Sequence, residues 1–473
     1  MPPRRVALLL GALVLATAMI GLPMSRAAAA PGAGSSSEEV DQGHVGPGLA
    51  RHPLFIKIRG RDARGNPLVT NATPTGYTPS QIAAYLGLST GGAGQTIAIV
   101  AAYDDPNVIS DLNTFSNNFA LPLTCGSAGA NPSDCLTFTE AMPQGTPTTD
   151  AGWALEISLD VQWAHAVAPQ AAILLVDAAS NSDTDLLGGI DYAAGHGASV
   201  ISNSWGEPEF RTETLSDGHC NLSSAVCTFA SGDGGNPGEW PAYDPYVIAV
   251  GGTTLTLGSN GSVSSEVAYS DSGGGVSQYE ARPSYQNGFN SYANRGMPDV
   301  SYDADPSTGF AVYDSTTYQS QSGWFQVGGT SAGAPQWAAI IAVADQLRAN
   351  VGEGPLNAAS FGADATLYGV GSPSIADITS GSNGTCGSIC TAQTGYDFVT
   401  GLGSPRPGIG PALAGVSLSV GGEAVAVNPA SLPRRPGNHA QALLIAVAAA
   451  AAVAVVAGGG VGAHWRRRRP SRR

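Results

Sequence analysis

The segment Gly328-Gly329-Thr330-Ser331-Ala332-Gly333-Ala334-Pro335 runs into an apolar stretch from Trp337 to Leu347. Glycines ahead of a serine permit a tight turn and leave room for an incoming substrate. Pro335 suits the first turn of the helix that follows. A serine at a helix start lies in an electropositive setting that favours a developing oxyanion. The chemistry this points to is nucleophilic attack, although the same residues also make an ordinary turn with a capping serine.

A nucleophilic serine needs a base. His44 and His52 fall in a polar N-terminal stretch, His439 and His464 flank an apolar run near the C-terminus, and His165 and His196 stand late in helical patterns. None of these settings marks a catalytic imidazole. The pattern at 151–167 offers carboxylates instead. Glu156 and Asp160 are four apart, hence on one helix face. Their neighbours Trp153, Leu155, Ile157, Leu159, Val161 and Trp163 make that helix apolar almost all round, which predicts burial. Two carboxyls buried together share a proton and titrate as a pair, so one becomes a usable base in acid. A third acid, Asp233, ends the run Phe229-Ala230-Ser231-Gly232-Asp233-Gly234-Gly235, a strand entering a glycine-rich loop. At the C-terminal edge of a parallel sheet, a protonated Asp233 could donate a hydrogen bond to an oxyanion.

The elements that must position these groups follow from apolar patterning. Thr96–Ala101, Ala172–Val176, Ser199–Ile201, Val226–Ala230 and Val247–Gly251 read as short buried strands, and 107–119, 151–167 and 183–196 as helices. Alternation of continuous apolar strands with helices predicts an α/β fold with a mostly parallel sheet covered by helices.

Of 473 residues, the 36 acidic ones all lie between 31 and 433, where only ten basic residues stand, a formal net charge of −26. Nucleic-acid binding, which needs a basic footprint, is excluded. Such a charge suits a protein working at low pH, where carboxyls are protonated, and serves solubility equally. Residues 1–30 read as a secretory signal peptide, cut near Ala29 or Ala30. Residues 31–75, polar and rich in Gly, Pro and Ser, read as an exposed leader or linker. The folded body spans 76–412. A weak, strand-like tail (413–439) leads to an apolar span (440–463) and a basic cytoplasmic tail (464–473), which places the body on the extracellular face of a membrane. Six cysteines in three close pairs, Cys125 with Cys135, Cys220 with Cys227 and Cys386 with Cys390, predict local disulfides in an oxidising compartment.

Together these motifs resemble the sedolisin family of serine-carboxyl peptidases from about Tyr77 to Pro405. They comprise Glu156-x-x-x-Asp160 with Trp163-Ala164-His165-Ala166-x-Ala168-Pro169, Ser204-Trp205-Gly206, Ala230-Ser231-Gly232-Asp233, Ala249-Val250-Gly251-Gly252-Thr253 and Gly329-Thr330-Ser331-x-x-x-Pro335. The resemblance implies a subtilisin-like α/β/α sandwich with a seven-stranded, mostly parallel sheet. By the same resemblance Ser331 is the nucleophile, Glu156 the general base and then acid, Asp160 the carboxyl that orients it, and Asp233 the oxyanion donor. His165 belongs to the helix motif. Asp377-Ile378-Thr379 and Gly395-Tyr396-Asp397 resemble the family's calcium site, with side chains from Asp377 and Asp397 and carbonyls from Ile378 and Gly395. Oxygen donors on irregular loops suit Ca2+. Three features depart from the family plan: a short leader where a folded prodomain is usual, a short cysteine-bearing stretch from Glu207 to Cys227, and the C-terminal anchor.

The expectation is a monomeric, secreted, membrane-anchored peptidase that holds one structural Ca2+ and cleaves protein or peptide substrates in acid. A Ser-His-Asp peptidase using His165 and an inactive peptide-binding surface protein are the alternatives.

Overall fold

A computed structural model describes residues 46–416 apart from 53, 59–71 and 89–90, together with the short strands Ser36–Glu39, Ser419–Val420 and Glu423–Ala424. The expected signal peptide, apolar span and basic tail lie outside the described residues. Among those that are described, no helix is long and apolar enough to cross a membrane.

The centre is an eight-stranded sheet. Seven strands run parallel in the order Val300–Asp303, Val247–Leu257, Val226–Ala230, Val200–Asn203, Thr96–Ala102, Ala172–Ala178 and Phe138–Ala141. The eighth, Val263–Ala268, turns back antiparallel along the far half of Val247–Leu257. The apolar runs lie where continuous hydrophobicity requires: Ile97 to Ala102 are buried, and Ile97 to Val100 have parallel neighbours on both sides.

Two long helices carry the candidate chemistry, Ala151–Val167 and Gly333–Asn350, and they pack against each other. The first starts where Asp150 caps it, accepting hydrogen bonds from Gly152 N (2.9 Å) and Trp153 N (3.1 Å). It is buried from Gly152 to Val167, as its lack of a polar face predicts. Gln162 locks it to the strand Phe310–Tyr318: its amide donates to Tyr313 O (2.7 Å) and accepts from Tyr313 N (3.0 Å). Trp163 Nε1 donates to Ala311 O of the same strand at 2.9 Å.

A second sheet has the order Ser36–Glu39, Phe55–Ile58, Gln321–Gly328, Phe310–Tyr318. Its strand Phe55–Ile58 comes from the stretch expected to be an exposed leader, and that expectation is corrected here. Ala50, His52, Leu54 and Ile56 are buried, alternating as strand residues do. All three cysteine pairs form disulfides. Between Glu207 and Cys227 the chain makes two short 3-10 turns, Glu213–Leu215 and Asp217–His219. The expected tail begins later than 413, since Leu413 and Ala414 close the helix Ile409–Ala414.

Candidate active site

Glu156 and Asp160 point the same way from the buried helix, and neither is exposed at all. Burial pushes the Glu156 carboxyl well above the usual carboxylate range; the negative charges of Asp160 and Asp233 push it further, and the Ser331 and Ser204 hydroxyls partly offset this. Burial likewise raises Asp160, against a hydrogen bond from Ser204 Oγ to its Oδ1 at 2.8 Å. Ser204 opens the Ser-Trp-Gly motif after the strand Val200–Asn203, and its hydroxyl also lies 3.4 Å from Ser331 O.

Ser331 sits in the single 3-10 turn Thr330–Ala332, just before the helix Gly333–Asn350. The turn is possible because Gly329 takes φ 104°, a conformation that side chains oppose. Ser331 Oγ and both Glu156 oxygens are buried without closing a hydrogen bond of standard geometry. Loose contacts of this kind are common before a substrate tightens a site. Asp233 reaches the same turn: its carboxyl accepts from Thr330 N at 2.9 and 3.2 Å. Burial raises the Asp233 pKa well above its ordinary value despite these donors, so it is protonated in acid and able to donate. The four candidate residues therefore converge from three separate elements.

The N-terminal stretch completes this region. Arg51 pairs with Gly206 in an antiparallel bridge, its N–H donating to Gly206 O (2.8 Å) and its carbonyl accepting from Gly206 N (2.9 Å). The Arg51 guanidinium forms an ion pair with Glu239, Nε to Oε1 at 2.8 Å. Glu239 in turn needs Gly232: a Cβ there would stand 2.8 Å from the Glu239 side chain. His52, fully buried, stacks edge-on against Trp153 with its Nδ1 3.5 Å from Glu156 Oε2. Burial lowers its pKa to about 3, so it is neutral. Sequence reading missed Arg51, His52 and Glu239, although the alternation at 50, 52, 54 and 56 signalled a strand.

The histidines that stand late in helices are engaged at backbone carbonyls. His165 Nε2 lies 2.9 Å from Pro122 O, and His196 Nδ1 lies 2.8 Å from Tyr192 O. Burial lowers the His165 pKa to about 4.

The four residues expected to bind calcium stand on two adjoining loops. Asp377 Oδ2 accepts from Gly395 N (2.8 Å), while Asp397 accepts from Gln393 N, Val399 N and Thr400 N. The Thr400 hydroxyl links Asp397 to Ile378 O. The donors are all oxygens, two from carboxylates and two from carbonyls, a chemistry that fits a hard cation.

The subtilase family pattern matches residues 125–360. Kumamolisin of Bacillus sp. (strain MN-32) is 32% identical over 376 residues, covering 71% of this chain and 63% of its own length. Sedolisin of Pseudomonas sp. (strain 101) is 29% identical over 352 residues, covering 67% and 55%. The chain thus spans somewhat more than half the length of these relatives. The solved structure of Pseudomonas sedolisin, a serine-carboxyl proteinase complexed with two molecules of pseudo-iodotyrostatin, aligns with TM-score 0.59 and 26% identity, covering 71% of this chain and 96% of that one.

Proposed function

The chain belongs to the sedolisin family, and from that premise we propose that it is a serine-type peptidase working in acid, with Ser331 as nucleophile and Glu156 as its base. The observation that carries this reading is the set of side chains around Ser331: three carboxyls of raised pKa, with neutral His52 against Glu156 and with His165 and His196 engaged at backbone carbonyls elsewhere.

Glu156 takes the proton from Ser331 Oγ as the hydroxyl attacks the scissile carbonyl. Asp160, held by Ser204, shares charge and proton with Glu156 and keeps it oriented. Protonated Asp233 donates to the carbonyl oxygen as negative charge develops there. The collapse of the tetrahedral species passes the Glu156 proton to the leaving amine, and water then hydrolyses the acyl-enzyme by the same steps. Arg51, bridged to Gly206, and His52, against Glu156, cover this side of the site, and displacing the N-terminal stretch would open it to a peptide. Asp377, Ile378, Gly395 and Asp397 would hold one Ca2+, whose part is to brace the loops. Secretion and a C-terminal membrane anchor complete the proposal, resting on the apolar ends of the chain.

The test is proteolysis of a denatured protein between about pH 3 and 7 by wild type, Ser331→Ala and Glu156→Gln. Equal activity in all three would end this reading; activity that survives Glu156→Gln and is lost in His165→Ala would replace it with the histidine mechanism.

A further inference from the structure

Three aspartates outside the candidate active site meet in the interior. Asp105 lies on the loop after the strand Thr96–Ala102, Asp111 in the first turn of the helix Val108–Phe119, and Asp314 on the strand Phe310–Tyr318. Their exposures are 0, 2 and 0%, and one carboxylate oxygen of each lies within 4.8 Å of the others. Each carboxylate is anchored from outside the cluster. Asn107 N and Thr316 Oγ1 donate to Asp105 Oδ1, both at 3.0 Å. Ser315 N donates to Asp111 Oδ2 (2.6 Å), and Thr316 N to Asp314 Oδ1 (2.7 Å). Asp314 Oδ2 is left buried with no hydrogen-bond partner. Among the described residues no basic side chain pairs with any of the three; the charges that act on Asp314 are Asp105 and Asp111 themselves.

Isolated buried carboxylates cost several kcal/mol each, so the group needs protons or a cation. The anchoring favours the cation. Backbone N–H donors stabilise ionised carboxylates and fix their orientation, as outer-shell partners do for metal ligands. Asp314 Oδ2 supplies an oxygen that nothing else uses. The neighbouring group Asp104, Glu140 and Asp177 differs, because Asp177 alone is buried there, while Asp104 and Glu140 are half-exposed and keep solvent as a partner.

We propose that Asp105, Asp111 and Asp314 bind a hard divalent cation of the Ca2+ class, in addition to the ion expected between Asp377 and Asp397. The ligands are oxygens throughout, and the hydroxyls of Ser158 and Thr316 stand next to the same carboxylates. Ser158 lies between Glu156 and Asp160 on one helix, and its Oγ is 3.4 Å from Asp105 Oδ2. The ion ties that helix to Val108–Phe119 and to Phe310–Tyr318, and so braces the pair of carboxyls from behind.

Chelator-stripped full chain carrying Asp397→Asn, which disables the other loop site, is titrated with Tb3+ at neutral pH, and tryptophan-sensitised emission is followed. One ion bound per chain and displaced by Ca2+ is expected, with at least tenfold weaker binding once Asp314→Asn is added. Absence of Tb3+ binding in the Asp397→Asn chain, or equal binding in the double variant, overturns the proposal. If the double variant does not fold, the melting temperature of Asp397→Asn decides: Ca2+ raises it by several degrees if the site exists, and an unchanged value overturns the site.

Discussion

His52 Nδ1 lies 3.5 Å from Glu156 Oε2, and both side chains are wholly buried. The residue proposed as base thus faces an imidazole delivered from more than a hundred positions upstream, while Arg51, one residue earlier, grips Glu239. Substituting Arg51 and His52 together by alanine should loosen this seating. The measurement is the rate at which an active-site serine probe labels Ser331, expected to rise about tenfold, the equivalent of roughly 1.4 kcal/mol of lost docking. An unchanged rate would mean that the N-terminal stretch does not govern access.

Acid should release the same stretch. Docked His52 has a pKa near 3 against an ordinary value of 6.5. A histidine whose pKa is depressed on docking favours the docked state above its free pKa, and that preference is lost as pH falls from about 6.5 towards 3. Limited proteolysis of the 46–58 region in the Ser331→Ala chain should therefore quicken on acidification, and less so in His52→Gln.

The fold as a whole should prefer mild acid. Burial raises Glu207 and Asp345 to about 7 and Glu280 to about 8. Between their unfolded values near 4 and these pKa values the native state binds more protons than the unfolded chain, so stability falls as pH rises. Denaturant midpoints should be higher at about pH 5 than at about pH 8.

Rate should divide by role. Ser331→Ala should abolish turnover. Glu156→Gln should cost roughly a hundredfold or more in kcat, and Asp233→Asn about a hundredfold, with KM for a peptide little changed. A change in KM alone would remove either residue from the chemistry.

Arg295 and Asp299 form a wholly buried ion pair, Nη2 to Oδ2 at 2.8 Å, and Asp299 also accepts from Ala249 N. Arg295→Ala strands that carboxylate and should cost about 3 kcal/mol in urea unfolding, whereas Arg295→Met should cost less.

Much of the candidate site was legible in the sequence, because its members carry local signals. The helix at 151–167 has no solvated face, so the two acids four residues apart on it had to be internal. The glycines before Ser331 and before Asp233 mark turns that only a few backbones make. The aspartates of the buried cluster have no such mark. Asp111 falls in a first helical turn, where an acid is ordinary, and Asp314 is one polar residue in a strand.

The amino-acid order alone determined the alternation of strand and helix, the three disulfide pairs and which serine and carboxyls stand as candidates, since each depends on neighbours a few residues away. Only the tertiary structure decided that the stretch around His52 lies against the candidate base. Ile56 pairs with Val327, and Arg51 reaches Glu239, 188 positions along the chain. Such contacts are set by where the folded sheets bring distant backbones together, and periodicity within one segment carries no record of its partner.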